Sequence, residues 1–446
     1  MPVSVAIIGA GPSGFYTAEA LLKRDFDCRV DIIESLPTPY GLIRFGVAPD
    51  HQSTKRVTRA YERTALDERV SYFGNVEVGR DITLKELRRF YDAVVLAIGA
   101  PLDRSLNIPG GDKAGVFGAA EFVGWYNGHP DYLDVAPDLN CGAVAVIGNG
   151  NVALDVARVL VKLPKEMAKT DLPEAVAQQI HSAPITDVYL FGRRGPLQAK
   201  WTNVELREMA RLKDCLPLVK EDQLPDSVGE GGPESASGRE RRLQEKNLAT
   251  LRSFAKVSPV GKRKRLHFEF FARPVEVLGG DTVEGLRLER TLLEDGRVRG
   301  SGEFFEVACG LIVASIGYRA RQVEGVPYDE SRGLVANRQG RVAEGLYAVG
   351  WAKRGPTGVI GSNKPDADLI AGHIEADCGA GRRPGRAMLE ELLEERGVSW
   401  VSFADWQEID AAEVAAAAPD APRKKLIRIK DMLAVLDKSS GAKKAG

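Results

Sequence analysis

A chain of 446 residues, 44% of them apolar, is long enough for two or three domains with sizeable cores. Its 61 basic and 62 acidic residues leave a net charge of -1, which excludes a chain-wide polyelectrolyte built for nucleic acid or an anionic membrane. No apolar run reaches the roughly 20 residues of a membrane span, and the five widely spaced cysteines contain no C-x-x-C pair, so no disulfide framework or metal site is expected and a reducing cytoplasm is the expected compartment.

Val3 to Ile8 reads as a short buried strand beginning too close to Met1 to leave room for a targeting peptide. It runs into Gly9-Ala10-Gly11-Pro12-Ser13-Gly14, a G-x-G-x-x-G followed by good helix formers from Phe15 to Lys23. Gly9 permits the tight turn, Gly11 lets a pyrophosphate approach the backbone, and Gly14 lets helix and strand pack closely. The anion would sit on the helix N-terminus. Arg29 to Ile33 is a second strand, and Glu34 at its end lies twenty residues past Gly14. That is the spacing of a carboxylate that binds ribose hydroxyls and repels a 2'-phosphate, so this first site suits FAD or NAD.

Leu36 to His51 holds three prolines and two glycines in sixteen residues. It reads as a rigid, non-periodic segment whose apolar side chains suit a planar ring system. Ser53 to Asp67 reads as one helix with Arg56, Arg59 and Arg63 on a solvated face. Val70 to Gly79 is strand-rich, Thr83 caps a short helix to Tyr91, and Tyr91 to Ala100 reads as a continuous apolar strand with the look of a central parallel strand. Leu106 to Gly111 reads as a crossing into a new unit.

That second unit repeats the first. Ala143 to Ile147 is a buried strand, and Gly148-Asn149-Gly150-Asn151-Val152-Ala153 is a G-x-G-x-x-A opening a helix that Pro164 is expected to close. The next strand, Asp187 to Phe191, ends in Gly192-Arg193-Arg194-Gly195. Where the first site has Glu34 this one has two guanidinium forks, the chemistry for a 2'-phosphate, so NADP is expected over NAD. Thr202 to Met209 reads as a capped helix, Val228 to Gly238 as a surface loop, and Arg239, Arg241, Arg242 and Lys246 gather on a further helix. They and Lys262 to Arg265 read equally as solvated charge or as a docking face for an acidic partner. Phe305 to Tyr318 is expected as one closing strand and Leu346 to Trp351 as another, before a glycine turn at 355–361 and a helix from Asp366 to Glu375. The tail beyond Arg382, with its basic segment Arg423-Lys424-Lys425, has no assignment.

Four separated motifs carry a specific likeness: Pro37 to His51, Gly148 to Arg158, Gly192 to Pro196, and Arg354 to Gly361. With them the chain resembles, over essentially its whole length, the adrenodoxin-reductase-type ferredoxin-NADP reductases, close to their bacterial members. The resemblance implies an α/β fold of two dinucleotide-binding, Rossmann-like domains, an NADP domain at 106–321 inserted into an FAD domain at 1–105 and 322–446. It implies FAD contacts from Gly9, Gly11, Ser13, Gly14, Glu34, Gly41, Leu42, Val78, Trp351, Gly358, Val359 and Ile360. NADP(H) contacts are implied for Arg104, Asn149, Gly150, Asn151, Val152, Arg193, Arg194, Glu205 and Gly358. His51 and Glu208 match positions near the reacting rings in similar enzymes, and Arg207, Arg242 and Lys246 match their ferredoxin-docking side. Trp351 stands where wider two-dinucleotide flavoproteins carry Asp, a feature this family shares. The implied reaction is electron transfer between NADPH and a ferredoxin through FAD. A disulfide reductase would need a cysteine pair beside the flavin, and none is present. A flavin monooxygenase lacks motif support, and a non-enzymic NADPH-binding sensor is the alternative of another class.

Overall fold

Apolar runs from the two ends of the chain build one sheet. Its strand order is Arg341–Ala343, Leu346–Ala348, Ala93–Leu96, Val3–Ile8, Cys28–Ile33, Val70–Phe73, and every pairing is parallel except that of the Arg341–Ala343 edge. The continuous apolar runs are explained by burial on both faces. Val5, Ile7, Val30, Ile32 and Val95 point into one core and Ala6, Ile8, Ile33, Val94 and Leu96 into the other, as alternation along a strand requires. The computed structural model describes residues 1–229 and 237–444. The chain divides into a first unit of Met1–Leu102, Asn127–Pro130 and Gly317–Gly446 and a second of Asp103–Tyr126 and Asp131–Ile316.

The second unit has its own six-stranded parallel sheet, ordered Val116–Gly118, Leu311–Ala314, Ala143–Ile147, Asp187–Phe191, Lys264–Glu269, Cys215–Val219. A three-stranded antiparallel sheet, Ala272–Leu278, Gly285–Glu294 and Arg297–Ala308, belongs to the same unit. In each parallel sheet the strand order reverses beside the fingerprint strand, Val3–Ile8 or Ala143–Ile147. Ligands of doubly wound folds bind at the carboxyl ends of the strands at this switch point.

Three local expectations change. The stretch expected as one helix over 53–67 is two pieces, Gln52–Lys55 and Thr58–Ala65, joined by i to i+3 bonds such as Val57 N to Thr54 O, where β-branched Thr54, Val57 and Thr58 crowd the turn. The second fingerprint helix ends at Val161, and Pro164 opens a separate turn, Pro164–Met167, a position at which its missing N–H costs nothing. The strand expected over 305–318 changes sheets: Arg297–Ala308 is antiparallel and Leu311–Ala314 parallel. The break is at Gly310, where a Cβ would lie 2.6 Å from Cys141 Cβ. Each member of the basic run Lys262 to Arg265 has an internal partner, Lys262 on Leu212 O, Arg263 on Asp214, Lys264 on Leu160 O and Arg265 on Asp187, while Arg263 and Arg265 stay exposed. The loop expected over 228–238 lies mostly outside the described residues.

The unassigned tail belongs to the first unit. Val401 exchanges 2.8 Å backbone bonds with Gly74, and Trp406 enters the core beside Tyr40. The basic segment closes a buried network. Arg44 grips Glu413 with two bonds of 2.9 and 2.5 Å, Arg423 reaches Asp410 and Glu413, and buried Lys425 donates to Arg44 O at 3.0 Å and Asn127 O at 3.1 Å. Burial alone would raise the Glu413 carboxyl, but the Arg44 guanidinium carries it below the ordinary range.

Candidate nucleotide sites

In the first unit the glycine turn is shaped by close approaches on one side and open space on the other. Gly9 has φ of +107° and a Cβ there would lie 2.6 Å from Ala97 O, the carbonyl just past the neighbouring strand. At Gly14 a Cβ would meet Gly9 O at 2.1 Å, so helix and strand touch through backbone. At Gly11 a Cβ would meet nothing within 4 Å. The helix Pro12–Leu22 starts at Gly11 with no side-chain cap and no acidic residue in its first turn. Its leading N–H groups are left for an anion.

Glu34 stands at the end of the second strand. Its carboxylate accepts the Ala10 N–H at 2.9 Å, the Ser35 hydroxyl at 3.0 Å and the Leu36 N–H at 3.3 Å. Burial raises its carboxyl above the ordinary range against these donors. The apolar segment after it folds back on the turn: Tyr40 N donates to Ala10 O at 2.8 Å, and a Cβ on Gly41 would lie 3.1 Å from Gly11 Cα. Tyr40 itself has φ of +84°. That strained backbone is held by its ring against Phe15 at 5.6 Å and Trp406 at 5.9 Å. Leu42 is exposed, His51 half-buried at the start of Gln52–Lys55, and Val78 forms an isolated bridge with Ile82.

Ser13 hydrogen-bonds Asn363 at 3.1 Å, which draws the helix Asn363–Cys378 onto the turn. Asp366 on that helix accepts the Gly350 N–H at 2.7 Å and pairs with Lys353 and Arg354, fixing the bend that presents Trp351. The Trp351 indole donates to Thr357 O at 3.2 Å. Gly358 has φ of +85°, and a Cβ would press on Ser362 Oγ at 2.6 Å. Val359 is exposed and Ile360 opens the short turn Ile360–Ser362.

The second unit repeats this construction. Gly148 has φ of +136° and a Cβ there would lie 2.1 Å from Ser315 O. Gly150 faces open space, and the helix Asn151–Val161 begins at it without a side-chain cap or early acid. Asn151 accepts the Thr202 N–H at 2.9 Å, and Lys200 N donates to Asn149 O at 2.9 Å. Val152 lies in the first turn of that helix and Ala153, in place of a third glycine, is fully buried. Past the second strand, Arg193 is exposed and Arg194 half-buried. Neither guanidinium has a protein partner among the described residues. Arg104 is exposed, and Glu205 lies in the first turn of Asn203–Met209, which Thr202 caps.

The residues present therefore fit two dinucleotides. Four helices carry a side-chain cap, in which Thr83, Thr202, Ser237 or Ser402 bonds the N–H three residues on. The two fingerprint helices do not, and the space beside Gly11 and Gly150 is empty of protein. Glu208 is joined on its helix by Arg207, which is exposed like Arg242 and Lys246 on Gly238–Ser253. The Glu208 carboxylate lies 3.5 Å from Arg158, a fully buried cation that also pairs with Asp155 at 2.8 Å. Sequence reasoning missed Arg158, Asn363, Asp366 and the Arg44-Glu413-Lys425 network. Only the i, i+3 spacing of Asp155 and Arg158 offered a signal.

Residues 3–190 match the family described as pyridine nucleotide-disulphide oxidoreductase. Over 97% of this chain, mitochondrial NADPH:adrenodoxin oxidoreductase of Bos taurus is 42% identical, with 92% of its own length covered. NADPH-ferredoxin reductase FprA of Mycobacterium tuberculosis is 41% identical over 97% of this chain and 99% of its own. A structure of Mycobacterium tuberculosis FprA in complex with NADPH superposes with a TM-score of 0.91, at 40% identity and with 98% of this chain and 99% of that one covered. The chain belongs to the adrenodoxin-reductase-type family of ferredoxin-NADP reductases.

Proposed function

We propose that this protein is an FAD-dependent, NADP-specific oxidoreductase that carries electrons between NADPH and a ferredoxin. The observation that carries the reading is a pair of uncapped glycine turns of opposite character, one ending at the Glu34 carboxylate and the other at two unpaired arginines. FAD is assigned to the first unit, expected over 1–105 and 322–446 and comprising Met1–Leu102, Asn127–Pro130 and Gly317–Gly446, and held by the turn Gly9 to Gly14, Glu34, Gly41, Leu42, Val78, Trp351 and Gly358 to Ile360. NADP is assigned to the second unit, expected over 106–321 and comprising Asp103–Tyr126 and Asp131–Ile316, and held by Asn149 to Val152, Arg193 and Arg194, with Arg104, Glu205 and Gly358. Once bound, FAD would supply the redox chemistry, hydride acceptance from the nicotinamide C4 and single-electron donation to an iron-sulfur partner. The chain's own part is binding and alignment. Asp366 fixes the bend at Gly350 and Trp351, and Arg158 orients Glu208. His51 and Glu208 are assigned to the neighbourhood of the reacting rings.

An acidic ferredoxin is assigned to the exposed cations Arg207, Arg242 and Lys246, and the cytoplasm to its surroundings, in keeping with five free cysteines. No helix among the described residues is long and apolar enough to cross a membrane. The purified protein should be yellow, bleach rapidly on adding NADPH, and oxidise NADPH continuously when a ferredoxin from the same genome is supplied. A colourless, inert protein would overturn the reading in favour of an NADPH-binding sensor. Charge reversal at Arg207, Arg242 and Lys246 should slow ferredoxin reduction and flatten its salt dependence while sparing a small dye; equal loss with both acceptors removes the docking assignment.

A further inference from the structure

The two fingerprint turns can be superposed bond for bond. Gly9 N donates to Ile33 O at 2.8 Å, and Gly148 N donates to Phe191 O at 2.9 Å. This register pairs Glu34 with Gly192 and Ala10 with Asn149. In the first unit the small residue is on the turn, and the large acidic one follows the strand, its carboxylate on the Ala10 N–H. In the second unit the sizes are exchanged. A Cβ on Gly192 would fall 1.7 Å from Asn149 Nδ2, so the Asn149 amide fills the volume in which a side chain at 192 would have to start. The Asn149 Oδ1 is buried and without a hydrogen-bond partner among the described residues.

Resting on the assignment of NADP to this unit, we propose that Asn149 is a specificity-determining residue. It occupies the place of the ribose-binding carboxylate, which keeps an acid away from Arg193 and Arg194 and leaves both guanidiniums for a 2'-phosphate. Arginines alone attract a phosphate, but a carboxylate beside them would pair with them and repel it. Exclusion of the acid is thus the second half of the discrimination, and Asn149 performs it together with the missing side chain at 192.

Equilibrium binding of NADP+ and NAD+ to the flavin-loaded protein tests this. Gly192→Glu alone should weaken NADP+ at least tenfold without tightening NAD+, because the amide obstructs the new carboxylate. Asn149→Ala with Gly192→Glu should bind NAD+ at least tenfold more tightly than Gly192→Glu does. If the single variant already binds NAD+ as well as the double one, Asn149 excludes nothing and the proposal falls. A gentler pair tests the packing directly: Gly192→Ala should lower Tm and Asn149→Ala in the same chain should restore it, whereas failure of that rescue also overturns the proposal. Failure of the underlying assignment looks different, since the unaltered protein would then bind NADP+ no more tightly than Arg193→Ala does.

Discussion

The turn at Gly9 and the turn at Gly148 share a backbone and differ in what surrounds it. Both leave the first glycine against a carbonyl across the switch point, Ala97 O in one and Ser315 O in the other. Both begin an uncapped helix of eleven residues. One is then closed by a carboxylate with three protein donors and the other by cations with no protein partner among the described residues. The lesson is that the dinucleotide turn is a backbone device that accepts any pyrophosphate, and that the second strand's end decides which adenosine it takes.

The largest expected effect breaks the shared part. Gly148→Ala places a Cβ 2.1 Å from a backbone carbonyl at φ of +136° and should destabilise the second unit by about 3 kcal/mol. Gly150→Ala meets nothing within 4 Å and should change stability by no more than about 0.5 kcal/mol while NADP+ binding collapses. Thermal melts alongside coenzyme titrations separate the two. Equal Tm losses would mean that Gly150 also serves packing.

Next come the features that differ. Glu34→Ala removes a charged acceptor from the Ala10 N–H, a contact worth about 1.5 to 3 kcal/mol. It should lower flavin retention on gel filtration without changing affinity for NADP+. Arg193→Ala and Arg194→Ala should each raise KM for NADPH about tenfold, the equivalent of about 1.4 kcal/mol, and leave NADH nearly unchanged; parallel losses for both coenzymes would refute a 2'-phosphate role.

The smallest effect uses a helix that carries its own anion. Asp103 accepts the N–H groups of Ala120 and Glu121, doing for Ala119–Asn127 what a bound phosphate does at a fingerprint helix. Burial pushes its carboxyl up from 3.8 to about 6. The fold therefore keeps a proton that the unfolded chain has released, and stability falls as pH rises from about 4 to about 6. Asp103→Asn should flatten that slope in Tm against pH; an unchanged slope would show that Asp103 does not titrate there.

Both turns were legible because they are local: strand, glycines, helix and the residue after the next strand lie within about fifty residues of one another. The opposite charges of Glu34 and the Arg193-Arg194 pair were legible for the same reason. What escaped was contact between distant segments. Asn363 reaches Ser13 across 350 residues, and nothing in its neighbourhood marks it. The basic run Lys262 to Arg265 reads as surface because charge usually is, and Arg263 and Arg265 are exposed, but its partners near Leu160, at Asp187 and at Leu212 to Asp214 lie far off in the sequence. Nothing in the sequence marks Gly192 beyond its place after the second strand, whereas in the structure a Cβ there would fall 1.7 Å from the Asn149 amide nitrogen.

The clasp of Arg44 by Glu413 spans 369 residues, and this sets an order of events during synthesis. The second unit, Asp103 to Ile316 apart from Asn127–Pro130, has left the ribosome before Glu413 and Lys425 exist. Domains fold as their sequence emerges, N-terminal segments first, so the apolar stretch around Arg44 waits without its counter-charge while the later unit is completed. The unit that begins the chain is the one that closes last.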